Sequence, residues 1–383
     1  MTAAQGFVAG GIACGIKASG AADLAIVATE DRTPVTAAGV FTTNLAQAAP
    51  VQVSQRHLGD GRAASVVLSS GNANAATGEP GRRDAMRMCE LTAQGLGLAT
   101  EDVLVCSTGL IGIPMPMDAL EVGVPKLCGQ LAADAGLAAA RAIMTTDTSP
   151  KQAVARAGAT TIGGMAKGAA MLSPAMATML AVVTTDAAVD HAVLARALTH
   201  AVARTFDCLS VDGCRSTNDT VLVLANGRAG AVDGHALTDA LTEVCGSLAE
   251  QMARDAEGAT KFVRVRVVGA RSDGDARIAA RAVANSQLVQ CSLNGEDAYW
   301  GRVLSELGAS GAFLDPERVD IAYNNVTVCR DGVACAYDEA ALAAAVAAPD
   351  IEIGCDLRLA HGTATVLTTD LSHAYIDENR RTS

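Results

Sequence analysis

Between Lys167 and Asp186 the chain carries no charged side chain, and near the middle of that run stands Thr178, preceded by Ser173-Pro-Ala-Met-Ala177. The hydroxyl sits after a proline-containing loop and at the front of an apolar, strand-like stretch. A threonine hydroxyl is a weak nucleophile and needs a base beside it. One source of that base is the nucleophile's own amine, released when the preceding peptide bond is cut. If the Ala177–Thr178 bond is strained, the hydroxyl can attack the Ala177 carbonyl. Hydrolysis of the ester then frees an α-amine with an ordinary pKa of about 8, a base usable near neutral pH. The plainer reading is a β-branched residue in a strand. Local composition leaves both open.

Other chemistries find less support. The six histidines (His57, His191, His200, His235, His361, His373) form no H-x-x-x-H or H-E-x-x-H pattern, and no cofactor or metal is expected. The eleven cysteines are odd in number and contain no C-x-x-C pair, which suits small buried hydrophobes in a reducing compartment. Neither G-x-G-x-x-G nor G-x-x-x-x-G-K-[ST] occurs, so dinucleotide and P-loop readings lose their main signal. A net charge of −12 argues against a nucleic-acid groove. No basic segment precedes the uncharged first sixteen residues, as a signal peptide requires. Pro174 makes the Lys167–Asp186 run a poor membrane helix. A cytoplasmic protein is expected.

The elements that must position such a hydroxyl follow from periodicity. At 383 residues the chain exceeds the usual single core, and with aromatics at 3% that core must be built from Ala, Val and Leu. Period-2 alternation predicts strands at Ser65–Leu68, Val103–Cys106, Met179–Val183, Val221–Leu224, Phe262–Val268, Ile321–Cys329 and Ile351–Leu359. Amphipathic spacing predicts helices at Arg82–Leu98, Leu137–Met144, Ala192–Phe206, Ala236–Ala256, Ala276–Gln290 and Glu339–Ala347. Asp190 and Asp338 are suited to N-cap or first-turn positions. Asn226–Gly234 and Gly269–Asp275 read as surface turns. The irregular interleaving favours α+β layers over a regular βαβ repeat. No linker marks a domain boundary.

Taken in order, several segments resemble the ornithine acetyltransferase (glutamate N-acetyltransferase) family, whose members self-cleave at an Ala-Thr bond. They are Ser70-Gly-Asn-Ala-Asn-Ala-Ala-Thr-Gly78, Cys106-Ser-Thr-Gly-Leu-Ile-Gly112, Thr145-Thr-Asp-Thr148 and Lys167-Gly168. Next come Met176-Ala-Thr-Met-Leu180, Asp212-Gly-Cys-Arg-Ser-Thr-Asn-Asp-Thr220, Arg254-Asp-Ala-Glu-Gly-Ala-Thr-Lys261 and Trp300-Gly-Arg302. Each segment is modest alone; their order and spacing across almost the whole chain make the match specific.

The resemblance implies a two-lobed α+β fold cut into chains 1–177 and 178–383 that pair into a heterotetramer. It implies ping-pong acetyl transfer from N2-acetylornithine to glutamate through an acetyl-Thr178 ester. Thr108 and Gly109, in a Ser-Thr-Gly turn after a strand, match the oxyanion-hole pair, although an ordinary polar turn reads the same way locally. Lys167 matches a lysine that contacts the substrate, pairing with its carboxylate, and otherwise reads as a snorkelling strand-end residue. Thr145 and Glu257 match substrate contacts, the acid being suited to an ammonium; each is locally also a polar helix-end residue.

Two segments depart from the family pattern. The tail Glu378-Asn-Arg-Arg-Thr-Ser383 is one residue short, so Asn379 aligns with the family's substrate-contacting asparagine while the last hydroxyl falls on Ser383 or Thr382. Asn294-Gly-Glu-Asp-Ala-Tyr-Trp300 stands where the family has His-Gly-x-Asp-Pro-Asn-Trp. Changes around a site alter specificity first. They keep alive a specialised acyltransferase or a bifunctional enzyme that also takes acetyl-CoA. An uncleaved scaffold that keeps only the fold is the rival outside enzymology.

Overall fold

Alternation along Leu24–Thr29 (β2) shows how an Ala/Val-rich sequence makes layers. Leu24, Ile26 and Ala28 enter one core while Ala25 and Val27 enter another, so both faces of the strand are covered. The computed structural model describes residues 1–171 and 179–380. Pro174, Ala177, Thr178 and Ser383, all singled out by the sequence, lie outside the described residues.

The chain forms two compact units, one of Met1–Asp207 with Cys214–Met252, the other of Cys208–Gly213 with the chain from Ala253. In the first unit, β2 belongs to a four-stranded sheet in the order β1 (Phe7–Ile12), β2, β5 (Ser65–Asn72), β6 (Val103–Leu110). A six-stranded sheet runs β4 (Arg62–Ala63), β3 (Val35–Phe41), β10 (Thr220–Ala231), β9 (Leu180–Ala188), β8 (Thr160–Lys167), β7 (Lys151–Ala157). The inner faces of the two sheets share a core with α4 (Gly136–Ala142). The outer face of the first sheet is covered by α1 (Ala49–His57), α2 (Gly78–Leu96) and α3 (Met117–Cys128). Helix α5 (His191–Arg204) packs on β3, and α6 (Gly234–Arg254) brings Val244 and Leu248 over Gly164 of β8. Helix, sheet, sheet and helix are thus stacked in four layers.

The second unit is one six-stranded sheet, ordered β14 (Val333–Ala334), β13 (Val326–Arg330), β12 (Asp320–Tyr323), β15 (Asp350–Asp356), β11 (Phe262–Ala270), β16 (Gly362–Thr369). Its helices are α7 (Asp273–Ala284), α8 (Gln287–Asn294), α9 (Trp300–Ala309), α10 (Glu339–Ala347) and α11 (His373–Asn379). Val263, Val265 and Val267 join the core with Ala276, Ala279, Ala280 and Val283 of α7, while Arg264 and Arg266 face the other way. The alternation read from the sequence is the alternation observed.

Several expectations need correction. Ile321–Cys329 is a hairpin, β12 and β13 turning through Asn324 and Asn325 at φ 44° and 68°, which asparagine tolerates better than most residues. Ala276–Gln290 is two helices, because the Ser286 side chain accepts the Val289 amide and starts α8 afresh. Asn226–Gly234 is mostly strand: β10 runs to Ala231 through a register shift between Ala225 and Gly230. Within Gly269–Asp275, β11 reaches Ala270 and α7 starts at Asp273, leaving a two-residue connection. Asp338 caps α10 through its side chain, whereas Asp190 occupies its N-cap position without a side-chain bond. Seven cysteines are buried as expected; Cys214 and Cys291 are exposed.

Candidate active site

Strands β5 and β6 run parallel and meet closely at their ends, where Gly71 pairs with Gly109. Both are left-handed, at φ +109° and +130°, and a Cβ on Gly109 would lie 2.3 Å from the Gly71 carbonyl carbon. Only glycine permits that approach. Thr108 and Gly109 therefore belong to the end of β6, not to a turn after it. Val103 through Thr108 are all buried and Gly109 is the first exposed residue of β6, so the pair sits where the strand leaves the core. Asn218 anchors this corner, its amide donating to the carbonyls of Ala73 (2.6 Å) and Ser107 (2.8 Å).

Lys167 ends β8 and is register partner of Leu180 on β9. Its ammonium is buried and donates to the Thr108 hydroxyl over a long 3.4 Å. Beyond it lies Asp147, whose Oδ1 accepts the Lys151 ammonium at 2.7 Å and the Gly168 amide at 2.8 Å. Its Oδ2 accepts the Thr145 amide at 3.0 Å. Burial alone would raise this carboxyl, but Lys167, Lys151 and the amide outweigh it and bring the pKa down to about 2. Thr145, Lys167 and Thr108 are thus gathered in one corner of the first unit. Lys17 adds a third ammonium there, donating to the carbonyls of Met144 and Ala22 at 2.7 Å each. Burial lowers its pKa, opposed by the charges of Asp23 and Asp147.

Asp219 closes the corner at the foot of β10. Burial holds its carboxyl well above the ordinary range, against the opposing effects of the Met179 amide, the Ser216 hydroxyl and the Lys167 charge. Asp147 and Asp219 lie inside the segments that carry the family resemblance, with no role implied there, and Lys17 and Lys151 lie outside them. The available signal was an acid enclosed by hydroxyls, in Thr145-Thr-Asp-Thr148 and Ser216-Thr-Asn-Asp-Thr220.

In the second unit, Glu257 follows α6 and accepts a 2.7 Å hydrogen bond from Asn379 on α11. The structure brings these two predicted contacts together. Asn294, one of the departures, donates to Asp370 at 2.7 Å, and Asp370 in turn accepts the amides of Thr260 and Lys261 at 2.8 Å each. Glu296 pairs with Lys261 at 2.8 Å. The departing segment is therefore fastened to the loop that follows Glu257. Among the described residues no group of His, Cys, Asp and Glu could hold a metal ion, and no helix is long and apolar enough to cross a membrane.

The ArgJ family's sequence profile matches residues 8–382. The chain belongs to the ArgJ family. The arginine biosynthesis bifunctional protein ArgJ of Symbiobacterium thermophilum is 48% identical over 99% of this chain and 97% of its own length. That of Mycolicibacterium paratuberculosis is 50% identical over 99% and 95%. A crystal structure of the ArgJ protein of Bacillus halodurans is similar at 34% identity and a TM-score of 0.50, covering 51% of this chain and 96% of the solved chain. A polypeptide of that ArgJ structure is thus about half as long as this one. The mixed helix-and-sheet layers described above are those of an ArgJ protein.

Proposed function

We propose that this chain cleaves itself between Ala177 and Thr178 and then carries an acetyl group from N2-acetylornithine to glutamate on the Thr178 hydroxyl. Membership of the ArgJ family makes it an acyltransferase of arginine biosynthesis; the cleavage, the donor and the acceptor are this reading's own. One observation carries it. Lys167, whose ammonium meets Thr108, is paired in the sheet with Leu180, two residues after Thr178. The oxyanion candidates and the strand that the nucleophile precedes are thereby joined through a single residue. The half-length polypeptide of the Bacillus halodurans relative supports the cleavage.

The steps balance without a metal or organic cofactor. The Thr178 hydroxyl oxygen attacks the Ala177 carbonyl carbon, the C–N bond breaks, and the hydroxyl proton passes to the departing nitrogen. Water hydrolyses the ester and leaves Thr178 with a free amine. That amine then takes the hydroxyl proton as Thr178 attacks the acetyl carbonyl of the donor. Thr108 Oγ1 and the Gly109 amide receive the negative oxygen of the tetrahedral intermediate. Ornithine leaves with the proton, and the amine of glutamate attacks the acetyl ester to restore Thr178. By the family resemblance Lys167 pairs with the substrate carboxylate and Glu257 suits its ammonium, and Thr145, Asn379 and Ser383 are further substrate contacts. The two products remain paired as strands, because β8 and β3 precede the cut while β9 and β10 follow it. Two such cleaved pairs assemble into a heterotetramer in the cytoplasm.

The purified protein should give two bands on a denaturing gel, the second beginning Thr-Met-Leu-Ala, and Thr178→Ala should remain one chain. Incubation with N2-acetylornithine alone should add one acetyl group to the 178–383 fragment, discharged by glutamate. A cleaved, folded preparation that no donor acetylates would overturn the assignment. The word bifunctional in the relatives' names favours one second reading, that acetyl-CoA loads the same threonine. The donor screen decides it.

A further inference from the structure

The peptide bond between Met144 and Thr145 is gripped from both sides by opposite charges. Its carbonyl oxygen accepts the Lys17 ammonium at 2.7 Å, and its N–H donates to Asp147 Oδ2 at 3.0 Å. Neither grip is a loose surface contact. Asp23 accepts the amides of Cys14, Gly15, Ile16 and Lys17, and so fixes the turn that presents Lys17. Asp147 is buried and its Oδ1 is already committed to Lys151 and Gly168. Just upstream, Ser70 of β5 donates to the Ala142 carbonyl at 2.7 Å and ties down the end of α4. A loop after a short helix would ordinarily sample many conformations; this one has its backbone held at three successive points.

We propose that Asp147 and Lys17 are positioning residues that set Thr145 and Lys167 at the spacing of one substrate end, a role that rests on the acyl-transfer reading above. Asp147 reaches both, through the Thr145 amide and through Gly168, the residue after Lys167. On the Asp147 side the charges are buried together with Lys151 and Lys167, while Lys17 is half-buried and spends its charge on two carbonyls. Hydrogen bonds to ionised groups are stronger and more directional than neutral ones, and an ion stripped of its partner in a buried site is strongly unfavourable. The arrangement therefore has one geometry and resists partial loosening. Its contribution falls on substrate placement rather than on the reacting atoms, because its hydrogen bonds go to the Met144–Thr145 peptide and to the Gly168 amide.

The two sides give independent tests. In Asp147→Asn the single amide oxygen remains with Lys151 and Gly168, which donate to the same atom, so the amide nitrogen faces the Thr145 N–H and that bond is lost. In Lys17→Met the Asp147 side is untouched and the Met144 carbonyl loses its donor. Each variant should raise KM for ornithine-bearing donor by about tenfold or more while kcat falls less than about threefold, the signature of lost substrate placement. Lys17→Arg, which keeps a donor, should recover most of the KM. Asp147→Asn is the variant at risk of misfolding, and Lys17→Met then reads the same peptide alone. Unchanged KM in folded Lys17→Met, or a fall in kcat at constant KM in either variant, overturns the proposal. A wild-type protein that no donor acetylates condemns the acyl-transfer reading instead, which the same assay shows before any variant is made.

Discussion

Asp219 Oδ1 accepts the Met179 amide at 2.9 Å, while Oδ2 of the same carboxyl is buried with no hydrogen bond among the described residues. A carboxyl in that position is driven to keep its proton, because an ionised oxygen without donors is costly to bury. Asp219 and Met179 are brought together by register: Thr220 pairs with Leu180 as β10 and β9 run parallel. The acid thus fixes the peptide that immediately follows Thr178.

A raised carboxyl has a thermodynamic sign. The folded protein holds the Asp219 proton at pH values where the unfolded chain has lost it, so its contribution is complete below the ordinary carboxylate value and is lost as pH rises. Asp219→Asn keeps the acceptor for Met179 and removes the ionisation. Its Tm should exceed wild type by about 2 °C or more at pH 8 and the gap should close toward pH 4. Melting curves across that range check it, and a gap that widens in acid refutes the assignment.

Asp147 carries the opposite sign. Its pKa of about 2, against an ordinary 3.8, means stabilisation that is present above the ordinary value and lost as pH falls through about 2. The shift corresponds to about 2 kcal/mol. Acid titration of stability should therefore be steeper below pH 4 in wild type than in Asp147→Asn. The variant should already be less stable by about 3–5 kcal/mol at pH 7, where Lys151 and Lys167 lose their carboxylate. Denaturant melts at several pH values separate the two effects.

How much of this was legible in the sequence depends on which force set each feature. Val263, Val265 and Val267 alternate with Arg264 and Arg266, so one-sided burial was written in residue type. Strand β2, Leu-Ala-Ile-Val-Ala-Thr, alternates between two cores and is buried on both faces, so its sequence shows no polar–apolar alternation to read. Strands β7 and β8 are not legible because the Thr160-Thr-Ile162 start of β8 runs into Gly163-Gly164 and β7 has a single Val among Ala, Gln, Lys and Arg, leaving no sustained period-2 pattern. At the site, Thr108, Lys167 and Thr145 were found through ordered motifs. Asp147 and Asp219 act by accepting backbone amides, and no spacing rule predicts which amides a distant fold will supply.

Asn294 tests the departing segment of the second unit. Its amide holds Asp370, which takes the Thr260 and Lys261 amides next to Glu257. Asn294→Ala should cost about 1 kcal/mol. Hydrogen exchange at Thr260 and Lys261 should quicken several-fold, with exchange in the first unit unaltered. Unchanged protection at both amides would show that Asp370 needs no brace from this segment.

Thr108 tests the oxyanion assignment, and Lys167 makes the expectation specific. The Lys167 ammonium donates to Thr108 Oγ1, so that oxygen acts as acceptor toward the lysine and its own hydrogen is left to donate elsewhere. A hydroxyl polarised in this way is a better donor to a developing alkoxide than one bonded through its hydrogen. Thr108→Ala should lower kcat by about 10²-fold with little change in KM, on the scale of other oxyanion-donor deletions. Thr108→Val should do the same, since it keeps the branched shape at the end of β6 and removes only the hydroxyl. Thr108→Ser should restore most of the rate. Because the same oxygen-binding site would serve self-cleavage, the Ala and Val variants should also mature slowly, visible as uncut chain at early times after synthesis. A Val variant with wild-type kcat and normal maturation would leave Gly109 alone at the site and remove Thr108 from the mechanism.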